Sequence, residues 1–234
     1  IDPALFQRPN FNQGSLVNFL VGAVLIIAMV NVPLLINVLE TDPQQAALDS
    51  GLLLSAMTAS MALMAYAGGR LTERWSYRPV ALAGLTLTVI GFALMGWTWS
   101  PDSEYLQMGL QLVVLGAGFG LIIAPIGAAV INAAPPDQLG IAASLVIVVR
   151  LIGMSVGLSA LTAWGLYRFD LLRAQVELPP IDAPTFQSAL ADGLTSTTVA
   201  VLAETFLISS IVALFAWLVA LALRPDPPPS DTSE

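Results

Sequence analysis

The residues of this chain that could do chemistry are few, and arginine dominates them. The sequence has no cysteine and no histidine, and all eight of its basic residues are arginine. Thiol chemistry is therefore excluded, and the commonest metal ligand and the usual proton carrier at neutral pH are both missing. The sequence also has no phosphate-binding Gly-Lys-Ser/Thr loop, so nothing in it supports ATP hydrolysis. We predict no enzyme, no metal site and no cofactor.

The most unusual arginine is Arg150, the single charged residue between Gln138 and Tyr167. It follows Gly140 by ten residues, about 15 Å along a helix, and so lies near the middle of a long apolar run. An arginine in the middle of a membrane costs at least ~2.5 kcal/mol and needs a partner or water. We predict that Arg150 is buried in the protein and contacts a substrate, an anion or a carboxylate of another bundle. A structural arginine that bonds helix carbonyls is the alternative.

A second charged group lies in the segment Gly69–Arg78, which joins two apolar runs. It contains Arg70, Arg74, Arg78 and Glu73. A carboxylate at the end of one helix can cap the start of its neighbour, and arginines can pair with acids or lipid phosphates. Such a group can hold one conformation closed and break in another. Ordinary positive charge on the cytoplasmic side of a membrane is the simpler reading.

Uncharged polar and methionine side chains within the apolar runs are candidates for a cavity wall. They are Asn31, Gln111, Met57 and Met61. Asn31 precedes Pro33, and a proline inside a helix frees a backbone carbonyl and can bend the helix. Hydrogen bonds and packing between neighbouring helices are the alternative for all four. For Glu204 we favour an interfacial carboxylate over a proton site.

All of these residues lie within or between long apolar runs, so the helices formed by the runs determine their positions. Hydrophobic residues make up 56% of the chain and charged residues 10%, and ~20 apolar residues suffice to cross a bilayer core as a helix. The sequence therefore predicts an all-α membrane protein with six transmembrane helices, at about 15–39, 50–68, 79–99, 105–133, 139–167 and 201–223. Residues 1–14 are predicted to be a cytoplasmic linker, 185–194 a short amphipathic helix at the membrane interface, and 224–234 a disordered cytoplasmic tail.

The positions of the arginines indicate how the predicted helices are oriented in the membrane. Five of the eight arginines share one side of a six-span arrangement: Arg8, Arg70, Arg74, Arg78 and Arg224. The positive-inside rule then places both termini and the segment Gly69–Arg78 in the cytoplasm.

Glycines at four-residue spacing let helix backbones approach closely in lipid. The sequence has two such pairs, Gly116 with Gly120 and Gly153 with Gly157. We predict tight packing there, with smooth surfaces on which helices slide as the functional alternative. The net charge of −8 does not suggest nucleic-acid binding.

The segment Gly69–Arg78 resembles the cytoplasmic signature of the major facilitator superfamily, G-x-L-a-D-r-x-G-r-k. Four positions match the signature: Gly69, Leu71, Arg74 and Arg78. Glu73 stands where the family has Asp, and Ser76 where it has Gly. The order of glycines and prolines over 115–157, including Pro135–Pro136, is similar to the penultimate helix pair of the fourteen-span drug/proton antiporter branch. The opening Leu5–Phe11 resembles the linker before the last six helices of that branch.

The resemblance extends to about Leu223 and implies a carboxy-terminal six-helix half of an alternating-access transporter. It implies proton-coupled export of lipophilic or amphipathic small molecules from a bacterial inner membrane, with Gly69–Arg78 as a conformational latch. The partner would be an amino-terminal half bundle, fused before Ile1 or supplied as a separate chain. Because the chain does not begin with Met, we expect a piece of a longer protein, or a processed or split one. A non-transporting structural or assembly subunit, packed with other membrane subunits, remains the alternative.

Overall fold

The fold consists of long helices joined by short connections. The computed structural model describes residues 5, 8–176, 179 and 185–224. Within them there is no strand, and the helices are α1 (Pro9–Leu39), α2 (Pro43–Trp75), α3 (Tyr77–Thr98), α4 (Tyr105–Asn132), α5 (Leu139–Arg173) and α6 (Phe186–Leu221), with a 3-10 turn (Pro136–Gln138) before α5. All six helices are long and apolar enough to cross a membrane. The predicted all-α membrane fold is confirmed.

Most helices extend beyond the predicted spans because their ends have local signals that apolar runs do not show. Helix α1 begins at Pro9, inside the segment predicted as a linker, since proline suits the first helical turn. Helix α2 begins at Pro43, where the Asp42 side chain accepts a hydrogen bond of 2.9 Å from the Gln44 backbone N–H. The other end of α2 runs to Trp75. The segment Gly69–Arg78, predicted to join two spans, is therefore helical on both sides of one interruption at Ser76.

The two last helices differ most from the predicted spans. Helix α5 continues to Arg173, and α6 begins at Phe186 and runs without a break to Leu221. Residues 185–194 therefore do not form a separate interfacial helix, because no proline interrupts the helix after Phe186. With 36 residues, α6 is about 54 Å long, well beyond a hydrocarbon core of ~30 Å. The predicted tail after Arg224 and residues 1–4, 6 and 7 of the predicted linker lie outside the described residues.

The helices alternate in direction, which gives the bundle two ends. We call the terminal end the one that holds the start of α1, the end of α6, and the α2–α3 and α4–α5 connections. There the Asn10 amide donates a hydrogen bond of 2.8 Å to the Tyr77 hydroxyl and accepts one of 2.9 Å from the Arg224 backbone N–H. The opposite end, with the α1–α2, α3–α4 and α5–α6 connections, is the distal end.

The helices contribute unequally to the core. Helix α2 packs on α4, α1 packs on α5 and α6, and α3 lies against both α4 and α6. Near the distal end, the rings of Phe92, Phe119, Phe206 and Trp99 pack together. In their most apolar stretches, only 17% of the residues of α2 and of α5 are buried, against 50–61% in the other four helices. Helices α2 and α5 therefore expose broad apolar faces.

Candidate functional site

Arg150 is held at the α1–α5 interface by a residue that the sequence analysis did not select. Its Nε donates a hydrogen bond of 2.9 Å to Oδ1 of Asn18. Asn18 is buried, and its amide nitrogen donates to the carbonyl of Val146, one turn before Arg150. One side chain of α1 thus engages both a helix carbonyl and the guanidinium of α5. This arrangement fixes the direction of the arginine without a carboxylate.

The rest of the Arg150 guanidinium has no partner within the described residues. Arginine has five N–H donors, and Nε alone makes a hydrogen bond. The ion pairs in the described part of the chain are Arg168–Glu204 and Arg173–Asp170. The side chain is only partly buried, and its neighbours Ile147 and Leu151 on α5 are exposed. Four donors therefore remain for a group from outside this bundle.

Glycine lets the backbones of α1 and α5 touch beside Arg150. A Cβ atom added at Gly22 would collide with the backbone oxygen of Arg150. A Cβ at Gly153 would collide with the carbonyl of Phe19, and one at Gly157 with the carbonyl of Ala23. The two backbones are thus in direct contact next to the Asn18–Arg150 hydrogen bond. Contact of this kind also makes the position of Arg150 relative to α1 rigid.

The α2–α4 interface has the same glycine packing without a charge. A Cβ at Gly116 would collide with the carbonyl of Met57, and one at Gly120 with the carbonyl of Met61. The side chain of Met57 is fully buried in the core, and that of Met61 packs partly buried against it. Met57 therefore lies in the contact between α2 and α4, and α4 covers it.

Gln111 also lies between helices rather than on a cavity wall. Its side-chain oxygen accepts a hydrogen bond of 2.6 Å from Trp99 Nε1, and its nitrogen donates one of 2.9 Å to the Thr98 hydroxyl. The amide therefore joins α4 to the end of α3. This is the helix-to-helix alternative that the sequence left open, and it satisfies both polar atoms of a buried side chain.

Asn31, in contrast, does line a cavity. The cavity has a volume of about 340 Å³ and lies between α1, α5 and α6 in the distal half of the bundle. Asn31 is 9% exposed and makes no side-chain hydrogen bond with any described residue. Asn31 thus lies in the wall of this cavity, and a functional role for it there stays a prediction.

The segment Gly69–Arg78 places its charges at the terminal end without pairing them. No ion pair joins Glu73 to Arg74 or Arg78, although all three residues are described. The guanidinium of Arg70 instead lies 4.7 Å from the centre of the Tyr66 ring, which is a cation–π contact. Two surface cavities of about 350 and 470 Å³ both include Glu73 in their walls. The carboxylate is therefore open to a group from outside the bundle.

The backbone of this segment is strained at one residue. Ser76 separates α2 from α3 with φ 69° and ψ 162°, a region that only glycine enters at low cost. Ser76 occupies the signature position where the superfamily has glycine. The departure from the signature and the unusual backbone angle thus fall on the same residue.

A bidentate ion pair connects α5 and α6 near the distal end. Arg168 donates from Nε to Glu204 Oε2 at 2.6 Å and from Nη2 to Oε1. The sequence analysis missed this pair because it ended the fifth span at Tyr167 and placed Arg168 in a loop. Arg168 directly follows the apolar run of α5. Extending the predicted helix by one residue would have included Arg168 and indicated the pair. The structure thus gives Glu204 an arginine partner on α5, and its interfacial position stays a prediction.

The sequence was compared with models of known protein families, and the match identifies the family of this chain. The sequence model described as Major Facilitator Superfamily matches residues 14–234. The chain belongs to the major facilitator superfamily. This superfamily consists of transport proteins, and the similar proteins below are transporters rather than enzymes.

Similar sequences within the superfamily come from mycobacteria. A triacylglyceride transporter of Mycobacterium tuberculosis is 34% identical over 239 residues, which cover 95% of this chain and 45% of that protein. A triacylglyceride transporter of Mycolicibacterium smegmatis is 36% identical over 181 residues, covering 73% of this chain and 31% of that protein. The chain thus spans less than half the length of these relatives.

A solved superfamily structure shows the same half-length relationship. The crystal structure of the E. coli fucose:proton symporter aligns with a TM-score of 0.64 over 93% of this chain and 49% of that protein. The sequence identity is 18%, so the likeness concerns the fold alone. The chain is an integral membrane protein, and its described residues form six apolar helices in the superfamily arrangement.

Proposed function

We propose that this chain is the carboxy-terminal half of a proton-coupled secondary transporter of the fourteen-span drug/proton antiporter branch. It exports lipophilic or amphipathic small molecules by alternating access, as its bundle rocks against an amino-terminal half bundle. The observation that carries this proposal is the exposure of α2 and α5, of whose apolar stretches only 17% is buried. Two helices with such faces are suited to contact with a second bundle of similar size.

The exposed faces support a half-to-half contact better than lipid contact alone. Several large apolar side chains of α2 and α5 are exposed beside the close-packed interfaces. They include Leu52, Leu63, Tyr66, Ile147, Leu151 and Val156. Helix α5 also presents the unpaired donors of Arg150 on this side. A charged group costs much less in a membrane when it faces a protein partner or water than when it faces lipid. The roughly twofold length of the mycobacterial relatives agrees with a second bundle.

Arg150 is the contact that this half contributes to coupling. In this proposal its free donors meet a carboxylate of the amino-terminal half or a substrate group. An arginine next to a carboxylate favours the ionised acid, so the pair would form when the acid is deprotonated and separate when it is protonated. Asn18 keeps the guanidinium aimed at the same place in both states. The proton-carrying acid itself would belong to the other half.

The segment Gly69–Arg78 acts as the conformational latch in this proposal. Its unpaired Glu73 and Arg74 and the two cavities beside them offer a docking place at the terminal end. Both termini and this segment lie in the cytoplasm of a bacterium, with the bundle in the inner membrane. Single cysteines at Arg70 and Arg74, treated with a membrane-impermeant maleimide in intact cells, should stay unlabelled. Labelling from outside would refute both the orientation and the latch.

The substrate class rests on two kinds of support. The mycobacterial relatives are named for a neutral lipid, and the described walls of the cavity beside Asn31 carry no charge. Both favour a lipophilic substrate over a sugar or an ion.

Flux measurement tests the proposal as a whole. The chain is co-expressed with an amino-terminal half bundle, reconstituted into liposomes, and supplied with a pH gradient and a fluorescent lipophilic substrate. We expect gradient-driven flux from the pair and none from the chain alone, and Arg150→Leu should abolish it. Full flux from a monomer of this chain would contradict the half-transporter proposal. A stable complex with unrelated membrane proteins and no flux would favour the structural or assembly subunit.

A further inference from the structure

The cavity beside Asn31 is built entirely by helices of this one half. Helix α1 forms one wall, α5 the second and α6 the third. Its volume of about 340 Å³ falls at the small end of the range of ~300–1,000 Å³ for small-molecule sites. The cavity of an alternating-access transporter lies between its halves, so a cavity within one half is a separate place for a ligand.

The chemistry of the walls restricts what can occupy the cavity. Most lining residues are aliphatic or aromatic, and no charged side chain is among the described ones. Its exposed rim includes Leu34 and Leu166, which are also apolar. Burying an ion against such walls would be costly. The occupant must therefore be uncharged and largely apolar.

Asn31 gives the described walls of the cavity their one side-chain amide, and the exposed Thr162 adds a hydroxyl that makes no hydrogen bond with any described residue. Two threonines of the wall already donate to their own helix, Thr198 to the Leu194 carbonyl and Thr205 to the Val201 carbonyl, each at 2.8 Å. Asn31 as a whole residue is 9% exposed, and its amide has no partner among the described residues. A polar group that faces apolar surroundings without a partner costs free energy. A ligand with a carbonyl at this position would accept a hydrogen bond from the amide and remove that cost.

We propose that the α1–α5–α6 cavity binds one uncharged apolar chain that carries a carbonyl, and that Asn31 is the residue that bonds this carbonyl. Binding needs no contribution from a second bundle. Only its use in transport rests on the proposed function, where the site would select neutral substrates over charged ones. Binding and flux are therefore separable measurements.

Photolabelling of the purified chain tests the site with matched probes. The probes are a diazirine-bearing long-chain ester, the ether of the same length and the corresponding alkylammonium ion, and labelled peptides are identified by mass spectrometry. We expect the ester to label the lining segments of α1, α5 and α6 about three- to tenfold more than the ether, as one hydrogen bond allows. The cation should label them least. Equal labelling by ester and ether, or strong labelling by the cation, would overturn the proposal.

Two variants address the site, and each has a matched control. Asn31→Leu should make ester and ether label equally, whereas Asn37→Leu, on the exposed side of α1, should keep the wild-type difference. Gly165→Leu should exclude both probes by filling the cavity, because a Cβ at Gly165 meets only a Val201 methyl at 3.6 Å. Gly51→Leu on α2, where nothing lies within 4 Å, should label as wild type does.

Thermal unfolding without ligand separates a binding role of Asn31 from a structural one. If the amide is unpaired, Asn31→Leu should leave the melting temperature unchanged or raise it. A lower melting temperature together with an unchanged ester preference would show that Asn31 stabilises the helices instead, and would refute the site. Gly165→Leu provides an independent test through the cavity volume, since it leaves the amide in place.

Discussion

The α1–α5 and α2–α4 interfaces use the same packing but differ in what lies between the helices. In each, two glycines at four-residue spacing press one helix onto the backbone carbonyls of the other: Gly153 and Gly157 on α5, Gly116 and Gly120 on α4. The α1–α5 interface adds Asn18 and the charged Arg150. In the α2–α4 interface the single cross-helix side-chain hydrogen bond among described residues runs from Ser60 to the Val113 carbonyl at 2.8 Å.

The difference shows how one packing solution can serve two purposes. Glycine contact supplies close, rigid packing in lipid at both interfaces. At α2–α4 the described residues add only the Ser60 hydrogen bond to this packing, so the interface acts as a scaffold. At α1–α5 the same rigidity holds the guanidinium of Arg150 in one direction. The comparison therefore predicts equal sensitivity to lost packing and unequal sensitivity to lost polar contacts.

The largest effect should come from adding one methyl group at either interface. Gly116→Ala and Gly153→Ala each place a Cβ against a backbone carbonyl that cannot move aside, so we expect a loss of about 3 kcal/mol in the free energy of unfolding. Gly127→Ala on α4 and Gly140→Ala on α5 are the matched controls, since nothing lies within 4 Å of either added Cβ. They should stabilise by about 0.5–1 kcal/mol. Denaturant titration in bicelles measures all four, and a loss confined to one interface would break the comparison.

The next effect should be confined to the α1–α5 interface. Asn18→Leu removes the partner of Arg150 and should cost about 1.5–3 kcal/mol, the range for a hydrogen bond to a charged group. Ser60→Ala, at the other interface, should cost less than about 1 kcal/mol, because its hydroxyl is only partly shielded from the surroundings. Arg150→Lys should restore function only in part, since lysine lacks the planar fork.

A double-mutant cycle sharpens this second prediction. Asn18→Leu and Arg150→Leu should couple by about 1 kcal/mol or more when combined, as contacting residues do. If the two losses in the free energy of unfolding are additive, the hydrogen bond between Asn18 and Arg150 contributes nothing to stability. The two interfaces would then differ in composition only.

A stabilising change is expected where α2 ends. Ser76→Gly relieves a backbone angle that costs about 1–3 kcal/mol for a residue with a Cβ, so it should raise the free energy of unfolding by about 1 kcal/mol after the entropy that glycine loses on folding. Thermal unfolding measures the gain, with Ser55→Gly in the interior of α2 as the control that should destabilise. An equal loss in both variants would show that Ser76 is not strained.

The smallest effect should come from the Arg168–Glu204 pair at the distal end of α5. The pair is bidentate, yet both side chains are about a third exposed, and exposed ion pairs are screened by salt. Arg168→Gln should lower the melting temperature slightly at low ionic strength and leave it unchanged at high salt. A large loss that salt does not alter would mean that the ion pair, and not glycine packing, holds α5 in place.

Helix ends and residue partners were the parts that sequence reasoning predicted least well. The charge-free runs predicted the membrane-spanning parts of the helices. Helices α5 and α6 continue beyond those parts because no residue in Arg168–Arg173 or Phe186–Ala200 breaks a helix. A hydropathy pattern reports the solvent around a helix and not its length. The same limit hid the Arg168–Glu204 pair, which exists only because both helices extend.

Sequence reasoning was sufficient for the six helices, the superfamily resemblance and the glycines that form the two interfaces. These depend on local composition and spacing, which the bilayer turns directly into structure because every spanning segment must satisfy its own backbone hydrogen bonds. The packed helices were needed to show that Asn18 binds Arg150, that Gln111 binds Trp99, and that Asn31 lines a cavity. Polar residues within apolar helices look alike in sequence, and which of them finds a partner depends on how the helices rotate and cross when they pack.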